Sequence, residues 1–207
     1  MRRLIIASVF SAIATQAATA SELSVTVKDT AGQPVNDAVV TLRAPGGAAH
    51  GPIHFSWPYA VAQEDVAFHP FVLIVPAGAE VRFPNKDRVR HHVYSFSPAK
   101  TFQLKLYGQE ETRSVEFDRA GVVALGCNIH DRMIGFVDVV DTPWAAKTAG
   151  GRAVIADAPT GAVMLNVWHP FAKAAAQTVS RTITLSVKGG EETVVVDLRP
   201  PPSKMSR

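Results

Sequence analysis

Three side chains able to hold a soft metal ion crowd one short stretch of this chain. Gly126-Cys127-Asn128-Ile129-His130-Asp131-Arg132-Met133 spaces a thiol, an imidazole and a thioether as Cys-x2-His-x2-Met. Upstream, His91-His92-Val93-Tyr94 opens a strand-like run and offers two further imidazoles. Two imidazoles and a thiolate in one plane, with a weak thioether beside them, are the donors of a blue-copper electron-transfer site. Thiolate and thioether stabilise the reduced ion, while imidazole suits both oxidation states. Losing or gaining an electron then demands little rearrangement of the ligands.

Each of these residues also has a plainer reading. A free cysteine can act as a small buried hydrophobe. Met133 precedes a strand and would serve as core if it stood alone, and only its register with Cys127 and His130 favours an axial thioether. Strand alternation sends His92 to the opposite face from His91. The remaining histidines, His50, His54, His69 and His169, are scattered beside prolines and linkers without a His-x-His or i,i+4 pattern, so a second metal site built from them is open but not the expected reading. Trp57, Trp144 and Trp168 lie outside the segment that carries the cluster and read as core fillers.

The amino terminus raises the stakes for the thiol. Arg2 and Arg3, an apolar run from Leu4 to Ile13 and Ala18-Thr19-Ala20 have the tripartite layout of a cleaved secretory signal over residues 1–20. The Arg pair lacks the rest of a twin-arginine motif, so the general route to the periplasm is expected. No later stretch is apolar for long enough to span a bilayer. Cys127 is the only cysteine of the chain and cannot form an internal disulfide. An unpaired thiol outside the cytoplasm persists when it is buried, catalytic or bound to metal.

Composition removes other functions. Of 207 residues, 47% are hydrophobic and 19% charged, enough apolar material for a core. The 21 basic and 18 acidic side chains give +3, and setting aside Arg2 and Arg3 leaves the chain nearly neutral. Binding nucleic acid or an anionic membrane through bulk charge is therefore not expected. No Gly-x-Ser-x-Gly elbow, phosphate loop or His-Glu-x-x-His motif offers rival chemistry. A saturated four-ligand site leaves no position for a substrate, so no enzymatic activity is expected.

The elements that must position the cluster read as strands throughout. Leu23, Val25 and Val27 alternate with polar residues, and runs at 38–42, 71–75, 80–83, 92–96, 101–106, 113–117, 122–125 and 134–140 follow between turn clusters. Pro76-Ala77-Gly78 reads as a hairpin turn, and 44–52 and 143–151 as linkers. Further strands are expected at 153–155, 163–168, 182–187 and 193–198 before a Pro-rich tail. Short strands at this spacing suggest an antiparallel sandwich.

Two resemblances sharpen this reading. "FHPFVLIVPAGAEVRFPNKD", "HHVYSFS" and "RAGVVALGCNIHDRMIGFVDV" resemble successive parts of a cupredoxin of the plastocyanin and amicyanin type, and the short Cys-to-Met loop is amicyanin-like. Together with the later "WHP" they are similar to secreted bacterial proteins labelled methylamine utilization proteins, a label taken from genetic context. The resemblance implies a Greek-key sandwich holding one type 1 copper ion, with His91, Cys127, His130 and Met133 in the ligand positions and redox proteins as partners. The chain departs from the plastocyanin-like pattern in carrying His92 where Asn is usual, Ile129 where Pro is common and Leu125 where an aromatic often stands. These departures leave every ligand in place.

The outer segments "VTVKDTAGQPVNDAVVTL" and "AGGRAVIADAPTGAVMLNVWHP" resemble a carboxypeptidase regulatory-like sandwich that has been split. The expected organisation is signal peptide 1–20, first part of that sandwich 22–50, cupredoxin domain 51–143, second part 144–199 and tail 200–207, the alternative being that both ends extend the central sandwich. Three functions remain open on the sequence: a periplasmic electron carrier, a periplasmic protein for copper delivery or storage, and a structural sandwich whose loop binds nothing.

Overall fold

The computed structural model describes residues 21–45 and 51–200. The expected leader, the linker residues 46–50 with His50, and the tail beyond residue 200 lie outside the described residues. The described chain is all-β. It opens with β1 (Leu23–Asp29) and β2 (Val39–Arg43). A central run follows: β3 (Ala62–Glu64), β4 (Ala67–His69), β5 (Val72–Pro76), β6 (Ala79–Pro84), β7 (His91–Ser97), β8 (Lys100–Tyr107), β9 (Thr112–Phe117), β10 (Gly121–Cys127) and β11 (Ile134–Val140). It closes with β12 (Ala145–Lys147), β13 (Arg152–Ile155), β14 (Gly161–Trp168), β15 (Thr178–Leu185) and β16 (Gly190–Val196).

These strands stack in layers whose faces can be read from residue alternation. The first sheet has the order β13-β1-β16 and the second β12-β2-β14-β15. Between them lie Leu23, Val25 and Val27 of β1, Val40 and Leu42 of β2, and Val163, Leu165 and Val167 of β14. Both opening strands pair with closing ones: β1 runs antiparallel to β13 and parallel to β16, and β2 runs antiparallel to β12 and β14. The third sheet, β5-β11-β10-β7-β8, has the site on its rim. Its inner face buries Leu73, Val75, Val93, Val123, Leu125, Val137 and Val139 against Val81 and Phe83 of β6 and Phe117 of β9.

The outer face of that third sheet is also covered. Val72 and Ile74 of β5 and Val140 of β11 pack with Val39, Ala145 and Trp168 of the second sheet. The Phe136 and Trp168 rings meet edge to face, centroids 5.6 Å apart. Because β5 is buried on both sides, every residue of Val72–Pro76 is inaccessible, and its sequence is a continuous apolar run rather than an alternation. At about 1.5–3 kcal/mol for each fully buried aliphatic side chain, this contact is a large term in holding the two pairs of sheets together.

Three local expectations change. Pro76-Ala77-Gly78 does not close a hairpin: β5 pairs in parallel with β11, and β6 pairs with β9 in a different sheet. The turn is an arch between layers, with Gly78 at φ +88°, because a strand buried on both faces has no place in a half-solvated hairpin with β6. Within the expected linker 143–151, Ala145–Lys147 forms β12, a short strand whose Ala-Ala-Lys composition carries no strand signal. The third change is the hairpin β3–β4, which turns through Asp65 (φ 54°) and Val66 (φ 55°) without the Asn-Gly or Asp-Gly that usually marks such a turn.

Asp138 interrupts the outer face of β11 at the junction of the two halves. It is only 8% exposed, and burial pushes its carboxyl up to about 6 despite the nearby Arg43 guanidinium. A carboxyl that protonates more readily folded than unfolded binds extra protons in the native state. Its contribution therefore favours folding below the unfolded value near 3.8 and is lost as pH rises through 6. Asp138→Asn should stabilise the protein at pH 7 by roughly 1–3 kcal/mol. The gain should shrink toward zero near pH 4, as read by denaturant unfolding of both proteins at each pH.

Candidate metal centre

The site forms where β10 ends against the start of β7. Antiparallel pairing sets Cys127 opposite Val93 and Gly126 opposite Tyr94. The Asn128 amide then donates to the His92 carbonyl at 3.1 Å, extending the ladder one step past the cysteine. Alternation along β10 turns Val123, Leu125 and Cys127 inward, and along β7 it turns His91, Val93 and Ser95 inward. Residues 36 apart in sequence thereby face each other. The loop after Cys127 tightens through a hydrogen bond from the Met133 amide to the His130 carbonyl, 2.9 Å, before β11 begins. That turn folds His130 back over the sulfur.

The sulfur of Cys127 lies 3.7 Å from His91 Nδ1 and 3.5 Å from His130 Nδ1. The donor atoms of these three residues fall within 4.8 Å of one another, and among the described residues no other group of three His, Cys, Asp or Glu side chains is so arranged. Donors held in one plane around a single ion, at about 2.0–2.3 Å as for zinc, stand roughly 3.6 Å apart. The observed separations match that figure. Cys127 and His91 are buried, His130 is half-buried, and Met133, 2% exposed, sits in the same core cluster as Cys127.

The electrostatics favour an ionised sulfur. Burial pushes the Cys127 thiol up, yet hydrogen bonding with His91, the backbone at His92 and Ile129, and His130 holds it down at about 6. For His91, burial pushes the imidazole down, and its contacts with Cys127 and Asp87 outweigh this and hold it above its ordinary value. The same contact therefore lowers the thiol and raises the imidazole.

His92 turns its ring away from the cluster, toward Tyr94, with centroids 6.5 Å apart. Its neighbour Tyr94 lies over Gly126, where a Cβ would stand 2.6 Å from the Tyr94 ring. His54 and His69 are exposed and take no part in the cluster. His169 is buried, accepts from the Phe171 amide at 3.2 Å and is pushed below its ordinary value by burial. Trp57 stacks on Phe55 at 4.6 Å and donates to the Ile74 carbonyl, Trp168 joins the layer junction, and Trp144 donates to the Asp157 carbonyl.

Sequence reasoning missed Asp87. Its Oδ2 lies 2.8 Å from His91 Nε2, on the ring edge opposite the sulfur. The available signal was a carboxylate four residues before a candidate ligand, in "NKDRVRHH", where loop composition disguised it.

No family model matches the chain, and no curated protein does. Among solved structures it is similar to a purple cupredoxin from Nitrosopumilus maritimus at 24% identity and a TM-score of 0.36, covering 39% of this chain and 98% of that one. It is also similar to a reduced amicyanin variant at 19% identity and TM-score 0.38, covering 49% and 98% of the two chains. A copper-containing nitrite reductase from Thermus scotoductus SA-01 aligns at 26% identity and TM-score 0.38 over 56% of this chain and 28% of that one.

The packing generates a test that needs no assumption about function. Gly126→Ala should displace the Tyr94 ring and cost about 1–3 kcal/mol through overpacking. His92→Asn, on the opposite face, should change stability by less than about 0.5 kcal/mol. Thermal unfolding of the two variants beside the parent measures both.

Proposed function

We propose that the protein is a type 1 copper protein that carries single electrons between redox partners in the periplasm. The observation that carries this reading is the buried Cys127 sulfur flanked by two imidazole Nδ1 atoms at 3.5 and 3.7 Å. When bound there, copper would supply a one-electron couple. His91, Cys127 and His130 would hold it through one nitrogen, one sulfur and one nitrogen, and the Met133 thioether would be a fourth, weak donor. The chain's own residues do the rest. The ladder between β7 and β10 holds two donors rigid, and burial in the Val93, Leu125 and Val137 cluster keeps water from the sulfur. His130 alone among the three close donors is part-exposed, which suits it to pass an electron to a docked protein.

Burial also favours a carrier over a copper delivery or storage protein. Ready exchange of the metal requires that a competing ligand reach it, and His91 and Cys127 are closed to solvent. Cleavage of residues 1–20 and export are part of the same proposal. So is the arrangement of a copper-binding sandwich, 51–143, set between two parts of a second one. No nucleic-acid partner is proposed, and among the described residues no helix is long and apolar enough to cross a membrane.

Loading the metal-free protein with Cu(II) should give one bound ion per chain and an intense visible thiolate-to-copper band. Cys127→Ser should abolish that band, and His91→Ala should weaken binding by more than about 100-fold, since even outer partners of ligands are worth 10–100-fold. A colourless product whose Cys127 is freely alkylated would overturn the proposal. Met133→Gln tests the axial position: a harder oxygen donor stabilises Cu(II), so the potential should fall while copper stays bound. An unshifted potential with a lowered melting temperature would make Met133 a core residue instead.

A further inference from the structure

We infer that Asp87 is a positioning residue of the metal centre, one that fixes the His91 ring and biases the site toward the oxidised ion; this rests on the copper reading above. His91 is fully buried, and its Nε2 lies 2.8 Å from Asp87 Oδ2 while its Nδ1 faces the Cys127 sulfur. A carboxylate can only accept, so Nε2 must carry the proton and donate it. That leaves the Nδ1 lone pair for a metal. One hydrogen bond therefore selects both the tautomer and the orientation of the ligand.

Asp87 is itself held from several directions. Its Oδ1 accepts from the Asp65 amide at 2.8 Å and its Oδ2 from the Val66 amide at 3.0 Å. Its own amide donates to Asn85 Oδ1 at 2.9 Å, and Asn85 Nδ2 donates to the Tyr107 and Val89 carbonyls at 3.1 and 2.9 Å. Tyr107 continues inward through its hydroxyl to Gln63. The carboxylate is thus anchored in a network that spans β3, β8 and the loop before β7.

The turn that supplies the two amides is itself strained. Asp65 and Val66 both have φ near +55°, and a β-branched residue in that region is a genuine outlier. Such strain persists only where surrounding contacts over-determine it. Here both strained residues aim their N–H groups at the one carboxylate that holds His91. The β3–β4 hairpin is therefore part of the support of the centre, though it lies some 25 residues upstream of the first ligand.

A negative charge behind a ligand imidazole makes that imidazole a stronger donor. Stronger donation stabilises Cu(II) more than Cu(I), so the site has a lower potential than one whose ligand meets a neutral partner. The structure thereby assigns to Asp87 a tuning role along with its geometric one.

The test compares the full chain with Asp87→Asn and Asp87→Ala in three measurements: proton and nitrogen NMR of the metal-free protein, voltammetry after loading with copper, and thermal unfolding. The metal-free parent should show a slowly exchanging, downfield His91 Nε2–H resonance that Asp87→Ala removes. After copper loading, Asp87→Asn should lower the ratio of Cu(II) to Cu(I) affinity about tenfold, which raises a one-electron potential by about 59 mV. A parent lacking the Nε2–H resonance would overturn the inference. So would variants that melt earlier at an unshifted potential, since Asp87 would then serve only the hairpin. A parent that takes up no copper overturns the electron-carrier reading and the tuning role with it, while the metal-free resonance still decides whether Asp87 holds His91.

Discussion

The site depends on one stretch of antiparallel pairing, the end of β10 against the beginning of β7. Cys127 opposite Val93, followed by the Asn128 amide on the His92 carbonyl, fixes which side chains of two distant segments share a face. A slip of one residue would send His91 outward and bring His92 toward the sulfur. The apolar pattern opposes the slip, because Val93 and Ser95 would leave the core with His91 while Phe96 and Tyr94 of the same strand turned inward. The hydrophobic register of an ordinary sandwich thus doubles as the alignment device of the metal donors.

From that pairing follows a chemistry that burial alone would not give. A thiol enclosed by aliphatic side chains should resist ionisation, and burial does push Cys127 that way. Two imidazoles and the backbone at His92 and Ile129 reverse the outcome, so that the sulfur ionises readily inside an apolar enclosure. Asp87 extends the same logic outward. A partly buried carboxylate beside an imidazole is costly unless well hydrogen-bonded, and the Asp65–Val66 turn supplies two of the bonds.

The layer junction shows how a site-bearing sheet can be braced from behind. Strands β5 and β11 bury one face toward the metal centre and the other toward Val39, Ala145 and Trp168. Motion of β11 would be transmitted to the loop that carries Met133. Covering its outer face gives that strand packing partners on both sides. Asp138, placed in that cover with a raised carboxyl, makes the brace weaker as the medium becomes less acidic.

Much of this was legible in the residues. The Cys-x2-His-x2-Met spacing placed three donor types on one loop, and period-2 alternation located most strands and separated His91 from His92. These are local properties, set by neighbouring side chains and the pleat of a strand. What depended on distant partners was not readable. Phe71–Val75 looks like half of a hairpin until the second sheet covers it, and Ala145–Lys147, whose Ala-Ala-Lys composition carries no strand signal, becomes a strand only by pairing with β2 about a hundred residues away. Asp87 belongs to the same class: its role exists only because a turn at Asp65–Val66, marked by neither glycine nor asparagine, folds over it. The sequence by itself determined which atoms could bind a metal and which face each would take. Only the tertiary structure decided which carboxylate stands behind the ligand, since that contact joins segments whose residues carry no local sign of each other.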